Sequence, residues 1–260
     1  LVIWNDRNDN RFISHLFNIY TKKEKILPFA VYALSPDGIH AVTTDFERIQ
    51  DICRRHDILF VADEVITGYG RTGEWFASKT MNLKPDLMAT AKGLTSGYQP
   101  MSAVLVGERV AEKLISDGGE FYHGFTYSGH PVAAAVALAN LKVIEDDGLI
   151  EKVRNDTGPY LAEALQRLAD HPMVGEVRSF GLLGAVELVE HKDGPKHFAQ
   201  QGHAAVVVRD HAINMGMMIR AVRDGMILSP PLTYERADID ATIDILHKAL
   251  DAAMDTLKLS

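Results

Sequence analysis

The chain reads as an α/β protein, and three stretches carry that reading. Thr44 to Asp57, TDFERIQDICRRHD, has the apolar spacing of an amphipathic helix. Ile58 to Val65, ILFVADEV, is a short and almost continuously apolar run, the pattern of a strand covered on both faces in a parallel sheet. Beyond residue 149 the same alternation of helical stretches and short strands returns.

Taken in order, the chain opens weakly patterned. A short strand is expected at Pro28 to Leu34 and a turn at Ser35-Pro36-Asp37-Gly38. Thr44 and Glu47 have capping-box spacing, with Phe46, Ile49 and Cys53 on one helical face. After ILFVADEV comes a glycine loop, then strands at Asp86 to Ala91 and Ala103 to Val106 leading into the helical ERVAEKLIS. FYHGFTYSGHP reads as a loop, and VAAAVALANLKVIEDD as a long helix whose alanines permit close packing. The remainder reads as a helix at Leu149 to Ala169, a strand pair within Val174 to Leu188, a helix at Ala204 to Met215, strands around Met218 and Ile227, and a last helix from Asp238 to Leu257. A domain boundary is expected near residue 150.

Composition narrows the function. With 260 residues, 47% hydrophobic and 24% charged, the chain can bury a core. A net charge of -8 argues against nucleic acid and anionic membranes as partners, since both are usually met by a basic face. Cys53 is the single cysteine, which excludes an internal disulfide and suits a reducing compartment. No apolar run reaches the ~18 residues of a membrane span, and no signal peptide is evident, so a cytoplasmic protein is expected. The start, LVIWNDRNDNR, has no initiator Met and reads as that of a fragment.

One motif is refused. Gly68, Gly70 and Gly73 match GxGxxG, but DEVIT separates the apolar run from the first glycine and no helical pattern follows the last. A dinucleotide fingerprint requires both, with an acidic residue ~20 positions on.

Three other stretches belong together. VADEVITGYGRTG, then KPDLMATAKGLTSGYQPMSAVLV, then HGFTYSGHPVAAAVAL, in this order and spacing, resemble the core of the class III (omega-type) aminotransferases, pyridoxal 5'-phosphate enzymes of fold type I, the aspartate-aminotransferase-like fold. The likeness extends from about Asp45 to the C-terminus, including VGEVRSFGLLGAVELV and GMILSPPLTYERADID. It implies a divergent segment at 1–44, part of the cofactor-binding large domain at 45–148 and a smaller C-terminal α/β domain at 149–260.

The resemblance assigns roles that the residue types suit. Asp63 would hold the proton on the pyridine nitrogen, which strengthens the ring as an electron sink. Val65, on the same side of an extended chain, would lie against the ring, while Glu64 points away toward a structural ion pair or hydrogen bond. Lys92, after an apolar strand and before Gly93, would form the Schiff base. Partial desolvation there would favour the neutral amine that attacks an aldehyde. Thr126 would reach the cofactor phosphate of a second subunit, implying a homodimer with shared active sites. His123 and His130 beside it read as loop hydrogen-bonders, and no metal is expected. Arg220 would bind the substrate carboxylate with its planar fork, with Arg223 as its nearby competitor.

The implied reaction is a ping-pong transfer of an amino group from an amine, diamine or ω-amino acid to an oxo-acid such as pyruvate. The scaffold also hosts aminomutases, racemases and decarboxylases. Against an active enzyme stands a truncated relative without catalysis. Only residues 1–62 precede Asp63, YALSPDGIHAV stands where relatives carry an EPV-type acidic motif, and no Gly/Ser phosphate loop or ring-stacking aromatic is assigned.

Overall fold

In the computed structural model, residues 46–192 and 198–259 are described in full, and residues 2–8, 11–18, 23–27, 31–34 and 41–43 as strand backbone. The first three strands, β1 (Val2–Asn8), β2 (Arg11–Asn18) and β3 (Lys23–Leu27), form an antiparallel sheet in that order. β4 (Val31–Leu34) pairs antiparallel with β5 (Ala41–Thr43). The strand expected at Pro28 to Leu34 thus survives as its C-terminal half. Its first three residues, the turn at Ser35 to Gly38 and the cap at Thr44 lie outside the described residues.

Helix α1 (Phe46–Arg55) leads to β6 (Val61–Asp63). β6 lies parallel to β7 (Leu87–Thr90), and β7 antiparallel to β8 (Ala103–Val106). Between β6 and β7 the chain makes a tight loop and the single turn α2 (Ala77–Thr80). α3 (Glu108–Asp117) follows β8, an exposed loop runs through Thr126, and α4 (Pro131–Asp146) begins with Pro131, whose missing N–H costs nothing in a first turn.

The expectation that ILFVADEV is covered on both faces is not met within this chain. Ile58, Leu59 and Val61 are 52%, 46% and 56% exposed, and Val104 on β8 is 62% exposed. A covered strand needs elements packed on both faces of its sheet. Among the described residues this sheet has only three strands, with β6 and β8 at its edges.

The C-terminal part is better covered. α5 (Leu149–Lys152) passes through a π-turn at Val153–Thr157 into α6 (Gly158–Gln166). Pro159 has no N–H to bond the turn before it, which accounts for the widened turn there. β9 (Val174–Phe180) and β10 (Leu183–Leu188) form a hairpin. After α7 (His203–Asn214), β11 (Arg220–Val222) and β12 (Gly225–Leu228) complete a four-stranded sheet of order β11-β12-β10-β9. α8 (Arg236–Leu257) starts two residues before the expected Asp238, because Glu235 and Asp238 form a reciprocal capping box.

Two apolar clusters result. The larger joins α6, α7, α8 and the four-stranded sheet, with Leu161, Leu168, Leu188, Met226 and Leu246 all but sealed from solvent. The smaller gathers Tyr69, Leu94, Ala137, Ile144, Leu149 and Ile150.

Candidate functional site

Asp63 ends β6, and Lys92 follows the end of the neighbouring parallel strand β7, two residues past Thr90. The pairing Asp63↔Ala89 sets their register, and Glu64 N–H continues it by donating to the Ala89 carbonyl at 2.9 Å. Both therefore stand at the C-terminal edge of the same pair of parallel strands, where α/β sheets bind ligands. Lys92 opens a 3₁₀ turn (Lys92–Leu94) with φ +42°, an uncommon conformation for a residue with a Cβ.

Both side chains are exposed. Asp63 Oδ1 accepts the Val65 N–H at 3.1 Å, and among the described residues neither Asp63 nor Lys92 has an ion-pair partner. Partial desolvation of Lys92 is thus not realised in this chain, for the same reason that β6 is uncovered. Val65 does not continue an extended chain from Asp63. The strand stops at Asp63 and the backbone turns, so strand alternation does not place Val65; its N–H bond to Asp63 ties it there.

Glu64 is 2% exposed and fully used. Its Oε1 accepts both the N–H and the hydroxyl of Ser78 at 2.6 Å, and its Oε2 accepts the Ala77 N–H at 3.0 Å and the Thr67 hydroxyl. The buried carboxylate thus binds the free N–H groups that open α2 and holds the loop that follows Asp63.

The glycine loop packs against the C-terminal part. Gly73 has φ +82°, and a Cβ there would stand 3.0 Å from the Arg154 backbone. Arg154 Nε donates to the Gly73 carbonyl at 2.8 Å. Gly181, at φ +56°, has no room for a Cβ, which would come within 2.6 Å of the Arg71 carbonyl oxygen. Leu182 N–H donates to that same oxygen at 2.9 Å. Arg71 donates to the carbonyls of Leu182 and Pro230. Burial disfavours its charge and lowers its pKa, and the two carbonyls stand in for water. Sequence reasoning missed Arg71; its position inside the glycine motif was the available signal.

Thr126 lies in an exposed turn, where the Phe125 N–H donates to the Ser128 hydroxyl at 2.8 Å. Arg220 is the exposed first residue of β11, opposite Ile227, on the edge strand of the four-stranded sheet. Among the described residues no bond links Thr126 or Arg220 to the edge that carries Asp63 and Lys92. Arg223 lies in the β11–β12 turn, also exposed. No group of three or more His, Cys, Asp or Glu among the described residues could hold a metal ion, and no described helix is long and apolar enough to cross a membrane.

The donor set fits pyridoxal phosphate. An amine that can take an aldehyde and a carboxylate that can take a ring proton stand at one sheet edge, each without a competing ion pair among the described residues.

The chain belongs to the class-III aminotransferases, whose family model matches residues 35–250. That family is pyridoxal-phosphate-dependent, and its solved members have fold type I. The match begins ahead of Asp45, where the motif resemblance starts. The chain is 50% identical over 208 residues to the putrescine–pyruvate aminotransferase of Pseudomonas aeruginosa, covering 80% of this chain and 45% of that protein. It is 38% identical over 247 residues to the chloroplastic gamma aminobutyrate transaminase 3 of Solanum lycopersicum, covering 92% and 47%. The omega transaminase of Pseudomonas jessenii in complex with PMP superposes with a TM-score of 0.77 at 39% identity, over 87% of this chain and 51% of that one. The chain spans about half the length of the relatives it matches.

Proposed function

We propose that the protein moves an amino group from an amine, diamine or ω-amino acid to an oxo-acid such as pyruvate, with Lys92 holding pyridoxal phosphate as a Schiff base. The observation that carries this reading is the placement of Asp63 and Lys92 at the ends of adjacent parallel strands. Resemblance to the putrescine–pyruvate and gamma aminobutyrate enzymes supports the substrate class.

The cofactor, when bound, supplies an aldehyde that condenses with amines and a ring that accepts the electron pair of a breaking C–H bond. The residues of this chain do the rest. The Asp63 carboxylate keeps the proton on the ring nitrogen by charge attraction. Lys92 Nζ, released when the donor arrives, takes the proton from the donor carbon and returns it nearby as general base and then acid. Arg220 binds a substrate carboxylate in a two-pronged contact. Thr126 donates its hydroxyl to the cofactor phosphate of a second copy in a homodimer.

The test is to incubate the chain with pyridoxal phosphate, reduce with borohydride, map the modified lysine, and assay alanine formation from putrescine and pyruvate. An adduct confined to Lys92 together with alanine supports the proposal. An adduct without alanine would make this chain a cofactor-binding relative lacking catalysis, or one with other chemistry such as aminomutase or decarboxylase activity. Absence of the adduct would overturn the assignment of Lys92.

A further inference from the structure

Asn140 is unusual where it stands. α4 reads PVAAAVALANLKVIED, and an asparagine in its middle is a weaker helix former than the alanines around it. A polar amide at such a position needs a local reason.

Its side chain supplies one. Nδ2 donates to the Gly93 carbonyl at 2.8 Å and to the Leu94 carbonyl at 3.1 Å. Oδ1 accepts the Ser96 hydroxyl at 2.7 Å. Two carbonyls can only accept, so the orientation of the amide follows from its partners. Asn140 thus spans the stretch just after Lys92, including two of the three residues of the 3₁₀ turn. The stretch from Lys92 to Ser96 needs holding, because Lys92 at φ +42° and Ser96 at φ +49° both sit in the left-handed region. Tyr69 supports the turn from the other side. A Cβ on Gly93 would meet Tyr69 Cβ at 3.1 Å and its ring carbon Cδ2 at 3.3 Å, and the Tyr69 hydroxyl donates to Thr90 at 2.9 Å, at the end of β7.

We propose that Asn140 is a positioning residue for the reacting lysine: its amide clamps the Gly93 and Leu94 carbonyls and so holds Lys92 in the left-handed conformation that aims its amine from the sheet edge. The inference rests on the reading of Lys92 as the Schiff-base lysine. It adds that helix α4, which contributes no reacting group, decides how well that lysine is presented.

The experiment compares the full chain with Asn140→Asp, which keeps the size and the acceptor for Ser96 but turns a negative oxygen toward two carbonyls. Ser96→Ala, at an exposed position, is a milder variant in case the first fails to fold. Three quantities are read: hydrogen exchange of the amides of residues 92–98 without cofactor, the fraction of Lys92 trapped by borohydride at limiting pyridoxal phosphate, and kcat and KM for the amine donor. Losing two hydrogen bonds predicts exchange faster by about tenfold or more in that segment alone. Misplacing a reacting group predicts reduced Lys92 trapping and a kcat lower by on the order of tenfold or more, with KM nearly unchanged. Ser96→Ala should move the same quantities by less. Trapping at Lys92 that is insensitive to both variants overturns the inference and leaves the lysine assignment standing. No trapping at Lys92 in the unsubstituted chain overturns the lysine assignment, and this inference with it.

Discussion

The carboxylate of Glu64 accepts both the backbone N–H and the hydroxyl of Ser78, each at 2.6 Å, while its neighbour Asp63 is exposed at the sheet edge. Two adjacent carboxylates therefore divide the work: Glu64 builds the loop, and Asp63 is left available to a ligand. Glu64→Ala would strand the N–H groups of Ala77 and Ser78 in the interior. A destabilisation of about 2–4 kcal/mol is expected, from buried donors left unpaired. Urea titration of the two proteins measures it, and a change below 1 kcal/mol would show that water replaces the carboxylate.

Asp63→Asn should leave stability unchanged within about 0.5 kcal/mol, since the side chain is exposed and its one bond is to a neighbouring N–H. Transamination should fall on the order of 10²-fold or more, as for other groups that stabilise developing charge. Steady-state rates beside thermal melts test the pair of expectations. Loss of stability with retained activity would contradict both.

Gly181→Ala should be costly for two reasons. The backbone there is left-handed, and the new Cβ would press on the Arg71 carbonyl oxygen at 2.6 Å and the Thr72 Cα at 2.7 Å. Strain and overpacking together predict a loss of about 2–4 kcal/mol. Gly97→Ala is the control. It shares the positive φ, at +80°, but would meet nothing within 4 Å, so only about 1 kcal/mol is expected. Equal losses in the two variants would mean that the contact between glycine loop and C-terminal part contributes nothing.

His171 predicts a pH dependence. It is 5% exposed, its Nδ1 accepts the Met173 N–H at 3.1 Å, and its Nε2 stands 3.3 Å from Asp251 Oδ1 without hydrogen-bond geometry. His247 packs edge-on against it at 5.4 Å. Burial pushes its pKa below the ordinary 6.5, outweighing the pull of Asp251, with His247 and Lys192 adding repulsion. The folded state then holds this imidazole neutral while the unfolded chain takes up a proton near 6.5. Stability is fully present above that pH and declines as pH falls from 6.5 through the lower folded value. His171→Gln should flatten this slope between pH 7.5 and pH 5 in urea unfolding, and an unaltered slope would assign it to other groups.

The amino-acid pattern by itself determined the α/β class and most of the helices, and the resemblance of its motifs to the class III aminotransferases marked Asp63 and Lys92 as a pair worth testing. Periodicity and apolar runs report local geometry, and a strand such as β7 or a helix such as α8 is specified mainly by its own residues. The same local code could only assume an average environment, so it read ILFVADEV as covered although Val61 is 56% exposed. It read the three glycines as freedom to turn. Tertiary structure decided that Gly73 and Gly181 are also places where two backbones touch, and that Arg71 bonds the Pro230 carbonyl across 159 positions of sequence. It likewise decided that Asn140 serves a turn lying 47 residues before it. Such contacts depend on which surfaces meet after the elements form, and a side chain's own neighbours in sequence carry no record of that meeting.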